Sequence, residues 1–463
     1  MSARTPFLLL ERLYGDAAMA EIFSERATVR AWLRVEAALA AAQAELGILT
    51  AQEAEQIAGA AADPATVDLE ALWRESRNVG YPIFPLVRQL TGALPEGAAG
   101  RVHYGATTQD IMDSGLALQL AQATDRLTRL CSDFGDALVP HMEAHRQTTM
   151  AGRTHAQHAV PTTFGAKLAG YVAELARHRE RLVALRPRVA VVSLAGAGGT
   201  AAALGPEREA VRDRLAERLG LADSPVPWHV ARDGLAEFGA VAAMLAATAA
   251  RFAREVIDLS RTEVGEVAEA AGHHRGASST MPQKANPIGS EAVIGMSVSA
   301  AALSAALLRA MESGHERAAG EWQIEWQVLP QIAVLAAGAL ATAHEVAAEL
   351  RVDPERMARN LTLTDGRLMA EAHMIAMAPS VGRERAHDLV YAAAQQSAAE
   401  GRPLAAVLAE HVRDAGLDAA LAAPIAPADY VGDPDAVCDA ALAAWQRPLT
   451  PAPDPTDDGA LVR

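Results

Sequence analysis

Along most of the chain, apolar residues return every three to four positions, the spacing of one face of an α-helix. Between Gly234 and Ser260, Leu235, Phe238, Val241, Leu245, Phe252, Val256 and Leu259 form one stripe. At 1.5 Å per residue this helix runs about 40 Å. Comparable patterns cover roughly Ser114 to Arg146, Thr163 to Leu185, Ser290 to Ser313 and Val328 to Leu350. Long helices of this kind predict an extended bundle. Ahead of them, Trp32, Val35, Leu39 and Leu46 mark a helix that stops at Gly47. Val191 and Val192 could start a short strand, but there is no strand–helix alternation and no GxGxxG opening a helix. The predicted fold class is all-α.

The patterns divide the chain into three parts and a tail. Residues 1–100 read as a small helical domain that includes the irregular, aromatic segment Arg77 to Pro85. Residues 101–351 hold the long-helix bundle, and residues 352–446 a set of shorter helices. The Pro- and Asp-rich residues 447–463 are predicted to be disordered. A long, thin bundle leaves a large apolar flank, so association with other copies is expected.

Composition narrows the picture. At 463 residues the chain exceeds one ordinary core. The net charge of −16, from 41 basic and 57 acidic residues, argues against a nucleic-acid partner. An anionic substrate would need a local cationic site. Cys131 and Cys438 are the only cysteines and have no metal spacing, so a disulfide framework is not expected and a reducing cytoplasm fits. The first residues show no signal-peptide pattern. The apolar runs further in read as charge-interrupted buried helices, not membrane spans.

Four polar, Gly-linked segments sit near ends of the long helices. In VHYGATTQDIMDSG, Thr107 and Thr108 read as an N-cap pair, as a carboxylate site at a helix N-terminus, or both. In GRTHAQHAVPTTFG, His155 and His158 could share a metal, but no HExxH pattern or nearby carboxylate supports one. A proton-transfer histidine oriented by a neighbour fits better. LAGAGGTAAALG, from Leu194 to Gly205, lacks the Gly-Lys-Ser/Thr of a nucleotide loop and reads as a tight connection. The fourth, GASSTMPQKANPIGSE from Gly276 to Glu291, interrupts two helical patterns with hydroxyls, an ammonium, an amide and free N–H groups. Those are the groups that abstract a proton and hold a carboxylate. In EWQIEWQVLP, Trp322 and Trp326 are either core or the wall of a substrate pocket.

Taken in order, these segments resemble the fumarase/aspartase superfamily along nearly the whole chain. The resemblance implies a three-domain fold that tetramerises around a 20-helix core, with active sites shared between subunits of a homotetramer. It implies Ser278 as general base, His155 as the proton donor to the leaving group, and Glu291 as its orienting partner. It further implies substrate binding by His103, Thr107, Thr108, Gln157, Ser279, Met281, Lys284 and Asn286. The proton would leave a carbon beside a carboxylate of a small dicarboxylate, and that carboxylate would take up the charge, so no cofactor or metal is implied.

Within the superfamily, the start of the chain, GATTQD, WHVARDGLAEFGA and EWQIEWQVLP look most like 3-carboxy-cis,cis-muconate cycloisomerases. Those typically carry Trp where His155 stands, whereas eliminating members keep the histidine. The His-Asp pair and Arg-Asp-rich segment usual in adenylosuccinate lyases are missing. The reading drawn is a lyase that releases fumarate from a small substituted succinate, with a nitrosuccinate-type substrate preferred. Cycloisomerase, adenylosuccinate lyase and an inactive structural homologue are the alternatives.

Overall fold

The computed structural model describes residues 9–270, 275–277, 280–281, 283–317 and 319–449. Five long helices carry it: α1 (Thr108–Ala144), α2 (Phe164–Val189), α3 (Asp233–Ser260), α4 (Ile288–Ala310) and α5 (Glu321–Ala348). Each predicted long helix is present. α1 starts ahead of Ser114 because polar groups, not apolar period, set its end. Thr107 is extended and caps the helix, and its backbone N–H donates to the Asp110 carboxylate at 3.0 Å. α5 likewise starts at Glu321, before its apolar stripe becomes regular.

α3, α4 and α5 pack on one another, and α1 packs on α2 and α5. Phe252 of α3 is the hinge of the central core. Phe134 of α1 meets it edge-on at 5.3 Å and Tyr171 of α2 at 5.8 Å. A second core joins residues 29–121 to residues 190–221 and Trp322, and a third spans Met377 to Ala422. The helix Pro434–Gln446 belongs to the central core, not to the third. Residues 352–446 are therefore shared between two cores.

Two small antiparallel pairings interrupt the helices. β1 (Thr149–Thr154) pairs with β2 (Gln157–Thr163), and β3 (Val267–Ala268) with β4 (Arg351–Val352). Sequence pattern did not reveal the β1–β2 hairpin, whose burial does not alternate and whose register shifts between Gly152 and Arg153. Val191 makes only an isolated bridge with Ala222.

The expectation of charge-interrupted apolar runs needs correction. α3, α4 and α5 are each long and apolar enough to cross a membrane, with eighteen-residue windows of mean hydropathy 1.4, 1.7 and 1.4. α3 and α5 bury most of that window inside the chain, whereas α4 buries 33% of it. Val298 and Leu308 of α4 are 65% and 61% exposed.

Trp445 fastens the last helix to the bundle. Its Nε1 donates to Asp136 at 2.8 Å, and the Arg179 guanidinium lies 4.3 Å from the ring centre. The ring lies against Gly135 of α1, where a Cβ would come within 2.2 Å of it. Gly135→Ala is expected to cost about 1–3 kcal/mol by overpacking, seen as a lowered unfolding temperature; an unchanged temperature would show that this contact is loose.

Candidate active site

The polar segments gather at two opposite poles of the bundle. At the first, the N-terminus of α1 meets the start of α3, the start of α5 and the strap at Ser193–Gly196. Asp110 is fully buried there and accepts backbone N–H bonds from Ala195 at 2.8 Å and Gly196 at 3.0 Å. His229 Nε2 lies 2.8 Å from the same carboxylate. Burial would raise the Asp110 pKa, but His229 and the N–H groups of Ala195 and Thr107 hold it below the usual carboxylate value. The Leu194–Gly205 segment thus serves as a tight connection whose backbone closes over a buried carboxylate.

One turn along α1, Asp113 accepts from Arg232 at 2.8 and 3.0 Å, and Glu325 of α5 accepts from it at 2.7 and 2.5 Å. All three side chains are about 1% exposed or less. Burial opposes the charge on Arg232, but the two carboxylates raise its pKa above the ordinary value. Gln109 extends the network. Its Nε2 donates to Asp113 and to the His229 carbonyl, and its Oε1 accepts from Arg317 Nε at 2.8 Å. Among the described residues, Arg317 Nη2 and the His229 ring nitrogen Nδ1 are buried without a hydrogen-bond partner. An unpaired buried donor such as Arg317 Nη2 is uncommon and suits a site awaiting an acceptor.

His103 stands at the rim of this pole in a left-handed conformation (φ 61°), with Nδ1 2.7 Å from Glu36 Oε1. Burial works against its charge, but the hydrogen bond and charge of Glu36, with help from Asp110, raise its pKa. Thr107 and Thr108 are half-buried beside it.

The second pole carries the hairpin and the Gly276–Glu291 loop. His155 and Ala156 form the two-residue turn of the hairpin, both with positive φ (49° and 63°), which presents His155 to solvent. Gln157 is exposed next to it. The hairpin is braced from behind. Arg153 donates twice to the buried Glu266, at 2.9 and 2.6 Å, and Asn360 Nδ2 donates to the same carboxylate at 2.7 Å. Glu266 directly precedes β3, which leads toward the loop.

Within the loop, Asn286 closes the chain on itself through N–H and Nδ2 bonds to the Gly276 carbonyl, at 2.9 and 3.0 Å. Lys284 and Met281 are exposed. Ser278 and Ser279, expected as base and substrate ligand, lie outside the described residues. Glu291, in the first turn of α4, is exposed, and among the described residues no hydrogen bond or ion pair joins it to His155. Glu269 caps that helix instead, accepting from the N–H groups of Gly289 and Ser290.

The structure therefore gathers His103, Thr107 and Thr108 at one pole and His155, Gln157, Lys284, Asn286 and Glu291 at the other. α1, with 37 residues, separates the poles by about 55 Å. Even a hairpin folded fully back along α1 would recover only about 20 Å of that.

Comparison with known proteins then places the chain. Residues 14–301 match the family described as "Lyase", and residues 366–441 match "Adenylosuccinate lyase C-terminus". The chain belongs to the fumarase/aspartase superfamily. It is similar to the 3-carboxy-cis,cis-muconate cycloisomerase of Pseudomonas aeruginosa, 42% identical over 443 residues, 94% of this chain and 96% of the relative. The nitrosuccinate lyase of Streptomyces davaonensis is 38% identical over 441 residues, 92% of each. The solved 3-carboxy-cis,cis-muconate lactonizing enzyme from Pseudomonas putida superposes with a TM-score of 0.86 at 39% identity, covering 95% of this chain and 99% of that one.

Sequence reasoning missed Asp113, His229, Arg232, Arg317 and Glu325, which form the buried network at the first pole. A signal existed: Asp113 and Glu325 are charges just ahead of two apolar helical stripes, and His229 and Arg232 sit just before a third. For His103, protonation is favoured in the folded chain, so its contribution to stability is full below the unfolded histidine's pKa and fades as pH rises through the raised value. The gap in unfolding temperature between wild type and Glu36→Gln should be widest below about pH 6.5 and shrink above it; a gap independent of pH would contradict the pairing.

Proposed function

We propose that the chain eliminates a heteroatom group from a small substituted succinate, releasing fumarate, in sites assembled from more than one copy. The observation that carries this reading is the separation of the poles. Carboxylate-binding hydroxyls stand at one end of α1 and the proton-transfer histidine at the other, and no bend of the chain unites them. An antiparallel second copy sets pole against pole. The exposed apolar face of α4 supports the same reading, because a partner's helices would cover it. Four copies of the five-helix bundle give the tetramer and 20-helix core expected for the superfamily.

In such a site, Ser278 removes the proton from the carbon next to one carboxylate, and the charge passes into that carboxylate. Lys284 and Asn286 hold it there while Thr107, Thr108 and Gln157 hold the other carboxylate. Ser279, Met281 and His103 complete the contacts. The C–X bond then breaks with its electron pair, the C=C bond forms, and His155, oriented by Glu291, protonates the departing group. Arg317, with its free Nη2, adds a cation for a carboxylate at the first pole.

A second reading is 3-carboxy-cis,cis-muconate cycloisomerisation. The comparisons taken alone favour it, since the cycloisomerases of Pseudomonas aeruginosa and Pseudomonas putida, 42% and 41% identical, are more similar to this chain than the nitrosuccinate lyase at 38%. His155, where the cycloisomerases typically carry Trp, supports elimination. Nitrosuccinate itself is not singled out by either line of support.

Ultraviolet absorbance separates the readings. Fumarate appearing from nitrosuccinate or an N-substituted aspartate supports elimination, and loss of 3-carboxymuconate with none of these turned over supports the cycloisomerase. Ser278→Ala should abolish turnover on any substrate. His155→Ala should be mild for nitrite, a weak base, and cost about two to four orders of magnitude for an amine. Full activity of Ser278→Ala would overturn the mechanism.

A further inference from the structure

The chain has only six tryptophans, yet four of them, Trp32, Trp73, Trp322 and Trp326, wall one cavity of about 580 Å³, with Tyr81 as a fifth ring. Trp32 and Trp73 meet edge-on at 6.3 Å. Tyr81 stacks on Trp322 at 5.7 Å, and Trp326 stands edge-on to Tyr81 at 6.0 Å and to Trp322 at 5.0 Å. Such contacts orient the rings before anything binds. The polar edge of Trp73 is already used, since its Nε1 donates to Glu25 at 2.5 Å. Rings that served only as core would close the space, but Trp326 remains 37% exposed.

The charges around the cavity narrow its occupant. Asp113 and Glu325 line it, and the single guanidinium between them is Arg232. Two carboxylates against one cation leave this wall hospitable to a neutral or positive group and hostile to an anion. Arg77 also lines the cavity but is exposed to solvent, where its charge is screened. Through Asp113 the wall is continuous with Gln109 and Arg317, so the cavity adjoins the carboxylate-holding pole.

We propose that this cavity receives the group borne by the succinate, and that the group is a flat aromatic, neutral or cationic, and not a phosphate. The inference rests on the elimination reading above. Stacking and cation–π contact with the rings would supply the selectivity.

The test uses the full-length protein, tryptophan fluorescence titration and fumarate absorbance with three compounds: aspartate, N-benzylaspartate and N-(2-phosphonoethyl)aspartate. N-benzylaspartate should half-saturate the fluorescence change at a concentration about tenfold lower than aspartate, and the phosphonate should show no such gain. Trp326→Ala and Tyr81→Ala should each remove most of the advantage, and Trp326→Phe, which keeps a ring, should retain it. Trp326 is partly exposed, so its truncation spares the fold. Equal half-saturation by all three compounds, as when a second copy covers the cavity, would overturn the assignment, as would an advantage untouched by both alanine variants. Benzyl-selective, Trp326-dependent binding without fumarate from any of these compounds or from nitrosuccinate would refute elimination while upholding the cavity's role.

Discussion

Arg232 stands just before α3 with its guanidinium hidden from solvent, gripping Asp113 of α1 on one side and Glu325 of α5 on the other. Three helices from distant parts of the sequence are thereby held in one register. Buried ion groups of this kind seldom add net stability over a well-packed apolar core, because the desolvation cost offsets the attraction. Removing one member, however, leaves an uncompensated buried charge. The cluster thus penalises displacement of any of the three helix starts. The groups that matter for chemistry hang on that register. Gln109 bonds Asp113 and holds Arg317, Asp110 gathers the backbone of the strap at Ala195, and Thr107 caps the same helix.

The opposite pole is organised by the same physical means in a different form. A buried carboxylate, Glu266, takes two bonds from Arg153 and one from Asn360, tying the hairpin that presents His155 to the strand that precedes the signature loop. Each pole is therefore a polar constellation fixed by buried charge, and the stiff helices between them set a spacing no single chain can close. Rigid poles on a rigid rod suit a site completed by another copy, where each partner must arrive with its groups already placed.

The bundle was legible in the sequence because its helices are long and their apolar period sustained, as in Leu235 to Leu259. The role of Thr107 as a cap, and the close turn after Leu194, were legible for local reasons of hydroxyl and glycine chemistry. The β1–β2 hairpin was not, since its burial fails to alternate and its register shifts at Gly152. Asp113, Arg232 and Glu325 were missed because their meaning is tertiary. Each is a charge just ahead of an apolar stripe, 119 and 93 residues apart in sequence for the two bonds, and only packing brings them together. The helix Pro434–Gln446 escaped its expected domain for a similar reason, as Trp445 finds its partner at Gly135.

The most direct test of this account is the turnover of an Arg232→Met/Asp113→Leu/Glu325→Met variant set beside its unfolding temperature. Neutralising all three groups removes the penalty of an unpaired charge, so the unfolding temperature should stay near that of the wild type while turnover falls by about a hundredfold through loss of register. Wild-type turnover in a variant of wild-type stability would show that the clamp does not position the site.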